Sequence, residues 1–367
     1  MYSESDLEAA VAGGALSADQ ASRFRDFIAE GRHMPVVDEE HFRLLTGFND
    51  IFVGIAAAIL LAAVAMIGYY IPPNIDLDGP GPVSGILVAA VAWGLAEFFT
   101  LKRRMALPSI ILLIAFVGGV FETAGTGIVT MIGEQNVDNP QTGMIILAAS
   151  AGLAALAAWL HWRRFRVPIT VAAGVAALVA VVLGLVATGF AAEDMTEAQV
   201  ETMVRVMEGS ALVLGIGVFL IAMRWDASDP KRETRRSDVA FWLHLLAAPL
   251  IVHPVFSLLG LTEGATSTLD AAAVILLYVV LGLVALAIDR RALLVSALAY
   301  VLYALNSLFQ EYGAVELSVA FTALIIGSAL LLLSAFWTSA RRAVVRPLPD
   351  SLQGKLPVID RAIAVPA

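Results

Sequence analysis

The chain has 367 residues, of which 59% are apolar and 15% charged, with a mean hydropathy of +0.83. Soluble globular chains run at about 45–50% apolar and about 25% charged, so an ordinary soluble domain is excluded. There are 23 basic and 32 acidic residues, a net charge of −9, and no cysteine, which excludes disulfides, thiolate metal sites and cysteine catalysis.

Residues 1–47 come first and are polar. Ser5 with Glu8 and Ser17 with Gln20 form capping boxes, Gly13-Gly14 marks a turn and Gly31 a stop, so a short helical hairpin is predicted. An amphipathic stretch from Glu39 to Leu45 leads into the first apolar run, which starts near Ile51. Its acidic flank is wrong for a cleavable signal peptide, so 51–71 reads as a signal anchor that is retained. Further apolar runs follow at 83–101, 107–132, 143–162, 167–190, 203–224, 239–260, 270–288, 292–310 and 316–337. Each has roughly the twenty residues that cross a hydrocarbon core of about 30 Å as helix. The predicted fold class is an all-α integral membrane protein of ten transmembrane helices. It divides into a cytosolic piece over 1–47, a transmembrane domain over 48–338 and a cytosolic tail over 339–367. Beyond Pro347 the tail is Pro-rich and is expected to be loosely ordered.

The basic residues between the runs occupy every second loop. They are Lys102, Arg103 and Arg104; Arg163, Arg164 and Arg166; Arg224, Lys231, Arg232, Arg235 and Arg236; Arg290 and Arg291; and Arg341, Arg342 and Arg346. The alternate loops hold Asp76 and Asp78, Glu134 and Asp138, Glu193 and Asp194, Glu263, and Glu311, with no Lys or Arg. Positive charge stays on the cytoplasmic side, so both termini are expected inside and the number of spans even. The basic turns also resemble one another: RRMALP from Arg103, RRFRVP from Arg163, RRSDVA from Arg235, RRALLV from Arg290 and RRAVVRP from Arg341, about 50–70 residues apart. Five tandem helical hairpins, none able to bury itself alone, are the expected arrangement. The opening run EAAVAGGALSADQASRFRDFIAEG and the closing run FWTSARRAVVRPLPDSLQGKLPVID resemble the ends of uncharacterised bacterial polytopic inner-membrane protein families. In those families a cytosolic helical hairpin precedes repeated transmembrane hairpins. The resemblance implies a bacterial inner-membrane protein and brings no activity with it.

No Walker A loop, dinucleotide fingerprint, H-E-x-x-H or G-x-S-x-G is present, so no enzymatic activity, cofactor or metal is expected. The basic turns are explained as orientation signals that also meet anionic lipid, so no nucleic-acid partner is expected. Polar residues inside the spans carry the remaining signal, because ionisable groups in lipid are costly and functional by default. Glu122 lies 14 residues after Pro108, His253 15 after Asp238 and Asn306 15 after Arg291. At 1.5 Å per residue all three sit about 21–22 Å from the basic end. Gly118, Gly119, Gly125 and Thr126 share the helical face of Glu122, while Asn306 belongs to a stripe with Ser296, Tyr300, Tyr303, Ser307 and Gln310. Arg205 and Glu208 enter the next layer outward. A polar cavity of Glu122, His253, Asn306, Tyr303, Arg205 and Glu208 is therefore expected in the outer half of the bundle. There the Glu122 carboxylate would reach His253, Arg205, Asn306 or Tyr303 directly or through one water. Such a cavity would bind or transport a small solute. The alternatives are that these groups form a satisfied buried network, and that the protein is a non-catalytic scaffold or accessory subunit. A scaffold would meet a second copy or another membrane protein through the cytosolic hairpin and the small-residue faces at Gly143, Ala151 and Ala155.

Overall fold

The structure, a computed structural model, describes residues 7, 10–31, 48–73, 79–192, 194–230, 232, 234–261, 268–311 and 318–358. Among them there is helix and no strand. A short helix α1 (Ala18–Gly31) precedes α2 (Phe48–Tyr69), α3 (Pro82–Ala96), α4 (Ala106–Ile132), α5 (Pro140–Phe165) and α6 (Ile169–Thr188). Then come α7 (Glu197–Ala227), α8 (Arg235–Leu258), α9 (Thr268–Ile288), α10 (Ala292–Glu311), α11 (Ser318–Ala335), α12 (Trp337–Val345) and α13 (Asp350–Gln353). Each of the ten predicted apolar runs overlaps one of the helices α2 to α11. Seven of these, α2 to α8 with α3 continued through Lys102, are long and apolar enough to cross a membrane, and the bent pair of α11 with α12 makes an eighth candidate. The described apolar parts of α9 and α10 are shorter, 272–288 and 292–306.

Local chemistry sets the helix ends. Pro82 and Pro140 occupy the first turns of α3 and α5, where a missing amide hydrogen costs nothing. Thr196 and Gln199 close a capping box at the start of α7. Gly133, at φ +84°, ends α4 in a conformation that a side chain would strain. Between α3 and α4 the backbones touch at Gly85 and Gly119. A Cβ on Gly85 would lie 2.4 Å from the Gly119 carbonyl oxygen, so only glycine allows this approach.

Packing follows chain order. The three most extensive contacts join α3 to α4, α5 to α6 and α7 to α8, pairs linked by basic turns; α4 with α5, across an acidic loop, and α9 with α10 follow. One core lies among α2, α3 and α4. A second lies among α6, α7 and α8, and a third joins α8 to α9, α10, α11 and α12. Each of the four basic turns between these helices places one non-glycine residue in the left-handed region: Arg104 (φ 53°), Arg166 (φ 56°), Arg232 (φ 52°) and Asp289 (φ 58°). The sequence likeness of the turns thus has a backbone counterpart.

Three features depart from the sequence reading. The helix after residue 96 widens into a π-helical turn, Glu97–Lys102, rather than ending as plain α-helix. The last predicted run, to 337, breaks at Phe336, and α12 leaves α11 at 74°. The tail after Pro347 is not loose up to Val358. Arg341, 4% exposed, donates to the Pro357 carbonyl at 2.5 Å and to the Val358 carbonyl at 3.4 Å, and the Val358 amide donates to Pro230 at 3.2 Å. A buried guanidinium needs acceptors, and the tail carbonyls supply them.

Candidate functional site

Two of the sequence-predicted residues meet. Glu208 on α7 and His253 on α8 face each other, with Glu208 Oε1 3.3 Å from His253 Nε2. The other imidazole nitrogen, Nδ1, lies 2.5 Å from the hydroxyl of Tyr300 on α10. One neutral tautomer satisfies both contacts: Nε2–H donates to the carboxylate and Nδ1 accepts from the phenol. Tyr300 is itself held flat, its ring stacked on Phe256 with centroids 4.2 Å apart and planes 15° apart. The imidazole borders a cleft of about 200 Å³ whose other walls are Leu183, Met207, Ala211, Pro249 and Leu250. The His253 side chain is 56% exposed and that of Glu208 16%, so the imidazole fronts the cleft and the carboxylate backs it.

Glu122 and Arg205 do not join them. Glu122 stands on α4, whose packing partners are α2, α3, α5 and, weakly, α6, whereas α8 packs on α6, α7 and α10. Glu122 Oε1 is buried and meets no hydrogen-bonding group among the described residues. Estimated depth placed Glu122 and His253 at one level, but depth along a helix says nothing about which helices are neighbours. Arg205 turns to Glu201 on its own helix, an exposed i,i+4 pair. Asn306 Oδ1 is buried without a partner among the described residues, and the side chain of Tyr303 lies outside them. The stripe on α10 does reach the cluster, through Tyr300, one turn from Tyr303.

A second constellation, at the basic end, was not anticipated. Asp226, at the end of α7, is 1% exposed and takes Arg290 Nη2 at 2.5 Å, Arg290 Nε at 3.3 Å and His244 Nε2 at 2.9 Å. Arg290 also donates to the Ser237 carbonyl at 3.1 Å. One residue before it, Asp289 pairs with Arg232 at 2.9 Å, accepts from the Trp337 indole at 2.7 Å and lies 3.7 Å from Arg341 Nε. Asp229, 7% exposed, is held by the Thr234 amide and hydroxyl at 2.9 and 2.7 Å. Asp226 and Asp289 thus face three guanidinium groups, those of Arg290, Arg232 and Arg341. Burial, aided by Arg290, pulls Arg232 below the ordinary arginine value, and Asp289 and Asp226 oppose it. The signal for this network was in the sequence: acids stand inside basic turns at Asp226, Asp229 and Asp289. Counting only Lys and Arg as orientation signals hides them.

The network is buried, and its described contacts pair acids with bases. Its chemistry is cohesion: it ties the ends of α7 and α8 to α12 and the tail. On the amino-terminal side Glu97 and Arg164 make a bidentate pair at 2.8 and 2.7 Å that joins two further basic turns. Near them His161, fully buried, sits among Trp93, Phe116 and Phe165 and lies 3.2 Å from the Thr170 hydroxyl, a packed position. Among the described residues no group of three or more His, Asp or Glu side chains gathers as metal ligands would. No protein-family model, no curated protein and no solved structure matches the chain. The residues themselves carry the functional argument.

Proposed function

We propose that the chain is a multi-pass protein of a bacterial inner membrane that binds a small polar solute at the cleft fronted by His253. It crosses ten times, with both termini in the cytoplasm. The seven long helices, the bent pair and the two shorter apolar helices support ten crossings. The ion pairs that tie the basic turns together at one end support a single cytoplasmic face. The observation that carries the solute reading is one open cleft lined by a carboxylate and an imidazole from two helices, with a phenol from a third helix held on the imidazole's other nitrogen. A membrane bundle keeps such groups where they do work, because each is expensive in lipid. The cleft offers a negative charge and a proton donor or acceptor, a pair suited to a solute with a cationic or hydrogen-bond-donating group.

The test is recovery of bound small molecules from the purified full chain by mass spectrometry, compared with Glu208→Gln and His253→Phe. A species present with the wild type and lost from both variants, at unchanged thermal stability, is the expected result. The same species from all three proteins, or none from the wild type, overturns the reading. A scaffold role is favoured by one observation, Phe27 on α1, 72% exposed on the short amino-terminal helix. If it holds, deleting residues 1–36 removes co-purifying proteins while insertion persists, because the orienting charges lie further along the chain.

A further inference from the structure

Adjacent arginines at the turn before α10 have different surroundings. Arg290 is 3% exposed and engaged by Asp226. Arg291 is half-buried, and its guanidinium lies over the Trp337 ring, 4.7 Å from the centroid. Trp337 is a fixed platform, 2% exposed and hydrogen-bonded to Asp289. From this guanidinium an open groove of about 120 Å³ runs between α10 and α11, walled by Leu294, Leu298, Leu330 and Leu333. Arg291, Leu294 and Leu298 follow at helical spacing, so the apolar wall descends about 10 Å from the basic turn into the membrane. At the same level α12 turns away by 74° and carries Arg342 and Arg346 exposed on its outer face.

We infer that this groove binds one anionic diacyl phospholipid, its phosphate on Arg291 and one acyl chain along the four leucines. A cation at the interface above an apolar slot is complementary to that molecule at both ends. Basic pockets between transmembrane helices on the cytoplasmic side recognise anionic head groups in this manner. Neither part suffices alone: the slot without Arg291 would accept any lipid tail, and Arg291 without the slot would hold a head group only as a surface charge does.

Native mass spectrometry of the full chain in detergent, with phosphatidylglycerol or phosphatidylcholine added, reads the site. One phosphatidylglycerol adduct is expected, favoured over phosphatidylcholine by about fivefold, the factor that roughly 1 kcal/mol from an interfacial arginine supplies. Arg291→Gln should abolish the preference, and Leu298→Trp, which fills the slot and keeps the charge, should remove the adduct. Arg291→Lys should retain part of the preference, and excess glycerol phosphate should not compete. Equal adducts in the wild type and in Leu298→Trp, or no preference between the two lipids, overturn the proposal. Displacement by glycerol phosphate overturns it too, by showing a head-group contact without a chain. Should Arg291→Gln fail to fold, the Leu298→Trp and lipid-preference arms still decide.

Discussion

Asp289 concentrates the energetics of the basic end in one side chain. It neutralises Arg232 and Arg341 and fixes Trp337 while only 3% exposed. Removing one member of a buried ion pair costs about 3–5 kcal/mol, because the partner charge is left without water. Asp289→Asn should therefore lower thermal stability in detergent severely. Glu201→Gln, which breaks only the exposed pair with Arg205, should change it by less than about 1 kcal/mol. Glu122 reverses the expectation drawn from sequence. With a partner, Glu122→Leu would strand a buried polar group. With none among the described residues, it removes a desolvated carboxyl and should hold or raise the unfolding temperature. A marked fall would show that Glu122 has a partner after all. At this scale His253 and Glu208 were legible because an imidazole and a carboxylate interrupt apolar runs. Their separation from Glu122 was not, since helical depth is a property of one helix and proximity a property of two.

At the scale of elements, the apolar runs announced every helix from α2 to α11, and the misreadings lie at ends. The run at 203–224 became α7 over 31 residues, because the capping box at Thr196 starts the helix two polar turns earlier. Glu197, Glu201 and Arg205 occupy those turns, which hydropathy assigns to a loop. The break at Phe336 had no hydropathy signal either, since Phe336 and Trp337 extend the apolar run across it. The turns offer a sharper test. A non-glycine residue in the left-handed region carries about 1 kcal/mol of strain. Arg104 carries that strain without a buried ion pair, so Arg104→Gly should stabilise the protein slightly. Arg232 bears the same strain and also grips Asp289, at 2.9 Å through its side chain and 3.1 Å through the backbone carbonyl. Arg232→Gly should destabilise it by several times the first gain, and unfolding midpoints of the two variants check the opposite signs. Equal effects would mean that the guanidinium of Arg232 contributes nothing.

For the whole molecule, three apolar cores in series join chain neighbours, and polar groups divide between the ends. The ion-paired basic turns hold one end together, while Glu208, His253 and Tyr300 gather further along α7, α8 and α10. This division rests on every basic turn lying on the cytoplasmic face. The absence of cysteine allows a direct measurement, since a single introduced thiol is the only one in the chain. Intact cells are treated with a membrane-impermeant maleimide after one of Asp138, Asp194, Arg103, Arg163 or Arg342 is replaced by cysteine. The account predicts labelling at 138 and 194 in intact cells, and at 103, 163 and 342 only once the membrane is opened. Labelling of any of the last three in intact cells, or protection of 138 or 194, would contradict it.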